Sequence, residues 1–163
     1  MILTVTLNTS IDKLYLMTGI KPETVMRVKE VHNTAGGKGL NVSRVAGKLG
    51  EEITATGFVG GFNGKYLESL VDNPLVRCAF THVDAETRSC INCWDLSDGK
   101  STEYLEPGAP VTGEDVARFL ADFDRELPSA DVVTISGSIP KGAPEEIYND
   151  LIRRCRKARI PVL

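Results

Sequence analysis

Ala35-Gly36-Gly37-Lys38-Gly39-Leu40-Asn41-Val42-Ser43-Arg44-Val45-Ala46-Gly47-Lys48-Leu49-Gly50 is the stretch on which the reading of this chain turns. Three glycines interleaved with a lysine, then an asparagine, run directly into a helical pattern. From Val42 the apolar residues fall at Val42, Val45, Ala46 and Leu49, the stripe of a helix at about 40–49 packed on one face. Glycines at its entrance let backbone approach a ligand closely, and a helix start offers unpaired N–H groups and a positive dipole end. Lys38 adds a full positive charge, and Asn41 an amide that both donates and accepts. The pattern points to a site for a small polar, anionic molecule. It is not a Walker loop, because no Ser or Thr follows the lysine as that loop requires.

Outward from this stretch, short apolar strands alternate with helical stripes. Residues 2–8, 53–59, 79–83 and 131–136 read as strands, and a further strand begins near 160. Asn63 is placed to cap a helix carrying Tyr66, Leu67, Leu70 and Val71, which ends before Pro74. Thr112 precedes a stripe of Val116, Phe119, Leu120, Phe123 and Leu127, and Pro144 suits the first turn of a helix with Ile147, Leu151, Ile152 and Cys155 inward. That alternation argues for an α/β fold with a parallel sheet flanked by helices. Four more strands, at 12–17, 24–33, 89–96 and 101–106, have no helices between them, and Asp98-Gly99 marks a hairpin turn. They are expected to form a separate small sheet. Leu14, Leu16, Ile91 and Cys93 are expected on one of its faces.

Gly36-Gly37-Lys38-Gly39-Leu40-Asn41-Val42-Ser43-Arg44, followed by Thr56-Gly57-Phe58-Val59-Gly60-Gly61, resembles the first signature of the ribokinase-like (PfkB) sugar kinases. The likeness is to the phosphosugar branch, the tagatose-6-phosphate kinases and 1-phosphofructokinases. Thr4-Val5-Thr6-Leu7-Asn8-Thr9-Ser10-Ile11-Asp12, Thr87-Arg88, Glu106-Pro107-Gly108 and Ile135-Ser136-Gly137-Ser138-Ile139-Pro140 agree with it in order. One departure stands out: Thr9 occupies a position usually held by proline, which should loosen the turn before Asp12. The resemblance implies a ribokinase-like fold whose lid, strands at about 12–33 and 89–106, covers the sugar site and pairs with a second subunit. The family's Gly-Ala-Gly-Asp motif, which carries its catalytic base and anion hole, is not among these residues. The chain is therefore expected to be the N-terminal part, residues 1–163, of a longer kinase, ending on an opening strand, Arg159-Ile160-Pro161-Val162-Leu163.

By the same resemblance, Asp12 accepts hydrogen bonds from two sugar hydroxyls, Gly36, Gly37 and Asn41 hold hydroxyls, and Arg88 binds the phosphate already on the substrate. Lys38 reaches that phosphate or the transferred one, Arg27 is a weaker lid contact, and Ser138 ends a strand where open α/β sheets bind ligands. The residues alone leave plainer roles open: a turn carboxylate for Asp12, a tight capped turn for the glycines, a solvated lysine, and an N-cap for Ser138. No catalytic residue is expected among the 163, and no metal site. The implied reaction is ATP- and Mg²⁺-dependent phosphorylation of a ketohexose monophosphate to the bisphosphate, with a narrow preference for tagatose 6-phosphate drawn from Arg88-Ser89-Cys90-Ile91. Rival readings are a non-catalytic sugar-phosphate-binding or dimerisation module, and a nucleoside or ribose kinase of the same fold.

Composition narrows the partners. A formal charge of −3 gives no reason to expect nucleic acid or an anionic membrane. The apolar runs are too short to span a bilayer, and no basic region precedes the first strand, so cytoplasm is the expected compartment. Cys90 and Cys93 form a C-x-x-C pair, but on a strand residues three apart face opposite ways. They are read as reduced thiols rather than as metal ligands or a redox pair.

Overall fold

The computed structural model describes all 163 residues. β1 (Ile2–Thr6) is the axis of a parallel sheet, flanked by β4 (Ile53–Gly60) and β9 (Val132–Ile135). β4 also pairs, along its other edge, with β5 (Val76–Cys78) at its start and β6 (Thr81–Val83) at its end. Val162 makes one parallel bridge to Val133, so the chain's last residues run alongside β9. All eight residues of β4 are buried. That is how a parallel strand covered by helices on both faces should look.

Two cores lie on the two faces. On one, Leu3, Val5 and Val133 pack against α3 (Gly113–Glu126) and α4 (Ile147–Ala158) through Phe119, Phe123 and Leu151. The Phe58 and Phe119 rings sit 4.9 Å apart, and full burial of each such ring is worth about 1.5–3 kcal/mol. On the other, Ile53, Ala55 and Val59 pack against Leu40 of α1 (Lys38–Lys48) and Leu67 of α2 (Gly61–Ser69). α3 begins as its sequence foretold, with a capping box between Thr112 and Asp115.

The stripe expected to bury α1 is displaced. Gly39, Leu40, Ser43 and Gly47 face the sheet, whereas Val45 is 57 % and Leu49 79 % exposed. The small residues win because they allow close approach, and Thr4 Oγ1 lies 2.7 Å from Ser43 Oγ, which itself donates to Gly39 O. α2 starts at Gly61, so Asn63 lies inside it rather than capping it. Its first N–H groups, those of Phe62 and Asn63, donate to the Glu86 carboxylate instead, and Asn63 Nδ2 donates to Thr87 O. Pro144 precedes α4 by a turn and is not its first residue.

The second sheet runs β3 (Glu30–Gly36), β2 (Ser10–Met17), β7 (Arg88–Asp95), β8 (Ser101–Leu105). β2 and β7 are parallel, the other pairs antiparallel. The strand expected at 24–33 begins only at Glu30, and residues 18–29 form a loop. Asp95 anchors that loop, accepting from Gly19 N, Ile20 N, Ser97 N and Ser97 Oγ. Its carboxyl is held far below the usual carboxylate range, chiefly by the Ser97 hydroxyl and then by these backbone donors. Register also corrects the apolar face. Leu14 lies opposite Asn92 and Leu16 opposite Trp94, whereas Ile91 and Cys93 share the other face with Lys13 and Tyr15. Cys90 and Cys93 do point apart, all four cysteines are free, and burial pushes the Cys78 thiol up to about 11. No helix is long and apolar enough to cross a membrane.

Candidate functional site

The C-terminal ends of β1 and β9, the start of α1 and one face of the small sheet enclose a cavity of about 590 Å³. Ligands of open α/β sheets bind at this end of the strands. Asp12, Gly37, Lys38, Asn41, Arg88 and Ser138 all line it, six residues gathered from four separate segments. Gly36 does not line the cavity but lies directly under Asp12. Arg27 is exposed in the 18–29 loop, outside the cavity lining.

The two glycines are there for different reasons. A Cβ on Gly36 would fall 2.1 Å from Asp12 Oδ1, so the carboxylate rests where a side chain would be. Gly37 has φ +116°, a conformation that L side chains rarely adopt, as the chain turns from β3 into α1. Ser10 Oγ donates to Asp12 Oδ1 at 2.7 Å. That bond fixes the carboxylate and leaves Oδ2 free to accept from the cavity. Thr9, expected to loosen this turn, pins it: buried, it donates from Oγ1 to Phe58 O at 2.6 Å.

α1 presents its N-terminus to the cavity with no side-chain cap and no acidic residue in its first turn. A lysine at the first position opposes the helix dipole, an arrangement that an anion in front of it relieves. One turn on, Arg44 Nη2 donates to Asn41 Oδ1 at 2.8 Å. The acceptor side of that amide is thus used, and Nδ2 is the group left for a ligand.

The Arg88 guanidinium is already busy. It donates to Glu106 O at 3.0 Å, Asn8 O at 3.3 Å and Thr9 O at 3.4 Å. An arginine has five N–H donors, so two remain, on a group whose direction is set by three carbonyls. Ser138 Oγ accepts from Asn8 Nδ2 at 3.0 Å, leaving its own proton to give. Beneath it, Tyr148 donates to Gly137 O at 3.0 Å, and burial pushes its hydroxyl pKa up, keeping that donor protonated. No group of three His, Cys, Asp or Glu converges as a metal site.

A model of the pfkB family of carbohydrate kinases matches residues 4–163. The chain belongs to that family. Among solved structures, a Thermotoga maritima protein described as a possible 1-phosphofructokinase superposes with a TM-score of 0.92 at 37% identity, over 99% of this chain and 52% of its own. A candidate phosphofructokinase from Staphylococcus aureus gives 0.87 at 31%, with the same coverages. Escherichia coli phosphofructokinase-2, in complex with fructose 6-phosphate, gives 0.87 at 27%, over 99% and 53%. This pfkB chain therefore spans about half the length of the proteins it resembles. Arabidopsis thaliana ribokinase, at 20% identity and TM-score 0.68, shares the fold.

The sequence did not mark as site residues Asn8, or His32, Thr34, Cys90, Asn92 and Glu103 of the small sheet, which also line the cavity. Those on β3 and β7 were within reach. Once Gly36 and Arg88 are placed, the period of two along β3 and β7 puts Thr34, His32, Cys90 and Asn92 on the same face, whereas Glu103 joins them only through the pairing of β8 with β7.

Proposed function

We propose that the protein containing this chain transfers the γ-phosphoryl group of ATP to a primary hydroxyl of a ketohexose monophosphate, and that these residues hold the acceptor. The observation that carries this reading is the set of free valences around one cavity: Asp12 Oδ2 accepting, Asn41 Nδ2 and the Ser138 hydroxyl donating, and two cations, Arg88 and Lys38, at its inner end. A polyol bearing one phosphate complements that set. Vicinal hydroxyls donate to Asp12 and accept from Asn41, while the phosphate takes the free N–H groups of Arg88 and the Lys38 charge. Phosphoryl transfer depends mostly on positioning and charge neutralisation, and the acceptor half of that task is what this geometry performs. ATP supplies the transferred group. A divalent metal accompanies the nucleotide in this reading, as the kinase family implies.

Fructose 1-phosphate and tagatose 6-phosphate both fit, because Arg88 reads a phosphate whichever end of the sugar carries it. The names of the similar structures favour a fructose phosphate, and the residues after Arg88 favour tagatose 6-phosphate. The lid's exposed apolar residues support a homodimer. With the register corrected, Trp94 (42 % exposed) and Leu105 (63 %) belong to the cavity-side face, which a second lid would cover. The test is kcat/KM of the full natural polypeptide for both phosphates and for the unphosphorylated ketohexoses. Turnover of a ketohexose monophosphate at least a hundredfold better than of the free sugar is expected. A preference for an unphosphorylated sugar would overturn the reading.

A further inference from the structure

The lid face above the cavity carries two rungs of side chains, and the proposed function uses only the inner one. In that rung Thr34, Asp12 and Cys90 lie side by side across β3, β2 and β7. Two residues farther along each strand, about 7 Å outward, come His32, Leu14 and Asn92, with Glu103 next to Asn92 on β8. This outer rung also lines the cavity. Asn92 Nδ2 donates to Glu103 Oε1 at 3.4 Å, which sets the direction of the amide. Its other end, Oδ1, is buried with no hydrogen-bond partner. Buried carbonyl oxygens are ordinarily paired, so an orphan in the wall of a polar cavity is waiting for a donor. Turning the amide about its soft terminal torsion would give up the Glu103 bond and bring Oδ1 to the cavity, where a sugar hydroxyl would donate to it. The rung is also acidic: Glu103 is exposed, and His32 Nε2 is engaged with the Glu30 carboxylate at 3.5 Å. Acceptors beside a negative charge suit a hydroxyl and repel a phosphate.

We infer that Asn92 and Glu103 form a second hydroxyl-reading rung, which recognises the sugar on the side away from Arg88 and so keeps the phosphate at the inner end. This rests on the acceptor reading proposed above. It gives the pocket a polarity: Arg88 and Lys38 by the inner rung, the Glu103 carboxylate on the outer one. Each ketohexose monophosphate then shows a different hydroxyl to the outer rung, so these two residues set the preference among such substrates.

The test compares wild type, Asn92→Leu and Glu103→Gln in the full natural polypeptide. Each is assayed on fructose 1-phosphate and tagatose 6-phosphate, and on their monodeoxy analogues. With the parent substrates Asn92→Leu should lower kcat/KM ten- to a hundredfold and Glu103→Gln about three- to tenfold. For the one analogue lacking the hydroxyl that is read, both penalties should shrink to within twofold, because variant and analogue remove the same contact. Penalties equal for every analogue, or absent throughout, would overturn the inference. Glu103→Gln lies on an exposed edge strand and puts the fold at no risk. Trp94, the chain's one tryptophan, is two residues from Asn92 on the same face, and its fluorescence reports binding independently of turnover. A wild type that phosphorylates no ketohexose monophosphate brings down the acceptor reading together with this one. An active wild type with uniform penalties brings down this one alone.

Discussion

Replacing Arg88 by lysine separates the two jobs the guanidinium does. The charge survives the change, but the fork does not. In the structure three N–H groups go to Glu106 O, Asn8 O and Thr9 O, and two are left for phosphate. A lysine ammonium, with three donors on a flexible stem, cannot serve three carbonyls and a phosphate together. On the binding side it forfeits at least one charge-assisted hydrogen bond, about 1.5–3 kcal/mol, or roughly ten- to a hundredfold in KM for the sugar phosphate. On the stability side the loss is smaller. Two of the three carbonyl contacts are long and the site is open to water, so about 1 kcal/mol is expected, a fall of a few degrees in Tm. The assay is ADP release by the full natural polypeptide with saturating ATP, titrating a ketohexose phosphate and then the free ketohexose, alongside thermal unfolding. KM should rise for the phosphorylated sugar only, with KM for ATP unchanged. An equal loss on both sugars would mean that Arg88 only braces the Asn8–Thr9 turn, and the phosphate role would be wrong.

Gly36→Ala should leave far-UV circular dichroism unchanged while cutting kcat/KM tenfold or more, because the new Cβ takes the place of the Asp12 carboxylate; full activity would show that Asp12 is not needed where it lies. Thr9→Val keeps the shape but leaves Phe58 O without its donor, so a loss of about 1–3 kcal/mol in urea unfolding is expected, and an unchanged midpoint would refute the pinning role. The lowered pKa of Asp95 makes its contribution present above the ordinary value of 3.8 and lost as pH falls below it toward the folded-state value. Trp94-monitored unfolding from pH 7 to 3 should show that acid loss in wild type and less of it in Asp95→Asn, and parallel profiles would count against the anchor. Arg44→Met, which frees the Asn41 amide to flip, should lower kcat/KM several-fold without moving Tm, and rescue by Arg44→Lys would confirm that orientation is the cause.

The sequence carries the parallel sheet openly. β4 is an unbroken buried run, and the α3 stripe with its Thr112 cap reads almost as it folds. What it conceals is which face wins when two compete. α1 offers a branched apolar stripe at Val42, Val45 and Leu49 and a small-residue stripe at Gly39, Ser43 and Gly47, and periodicity favours the bulkier one. Packing against β1 favours the smaller, because the backbone must come close enough for Ser43 to meet Thr4. The small sheet shows the same limit in strand form. Each strand was visible, but the register that pairs Leu14 with Asn92 depends on contacts between β2 and β7, 78 residues apart in the chain. A one-residue difference in register exchanges the faces, which is why the expected apolar surface proved to be two half-surfaces.

The site divides along the same line. Lys38 and Asn41 could be named from local pattern and Asp12, Arg88 and Ser138 from the family resemblance, and the fold brings all five to one cavity. The residues that aim them could not. Ser10 holds one oxygen of Asp12, Arg44 one end of Asn41, Asn8 the oxygen of Ser138, and three backbone carbonyls hold Arg88. Each bond occupies part of its group's hydrogen-bonding capacity, and on the acceptor reading proposed above the remainder is what the ligand meets. A free carboxylate or amide could present either end and would lose entropy on choosing one. Here the choice is made before the ligand arrives, so a substrate that matches the pattern of donors and acceptors meets a site already set to receive it. Polyols that differ in one hydroxyl can be told apart on that basis, because a mismatch leaves an oriented polar group without a partner.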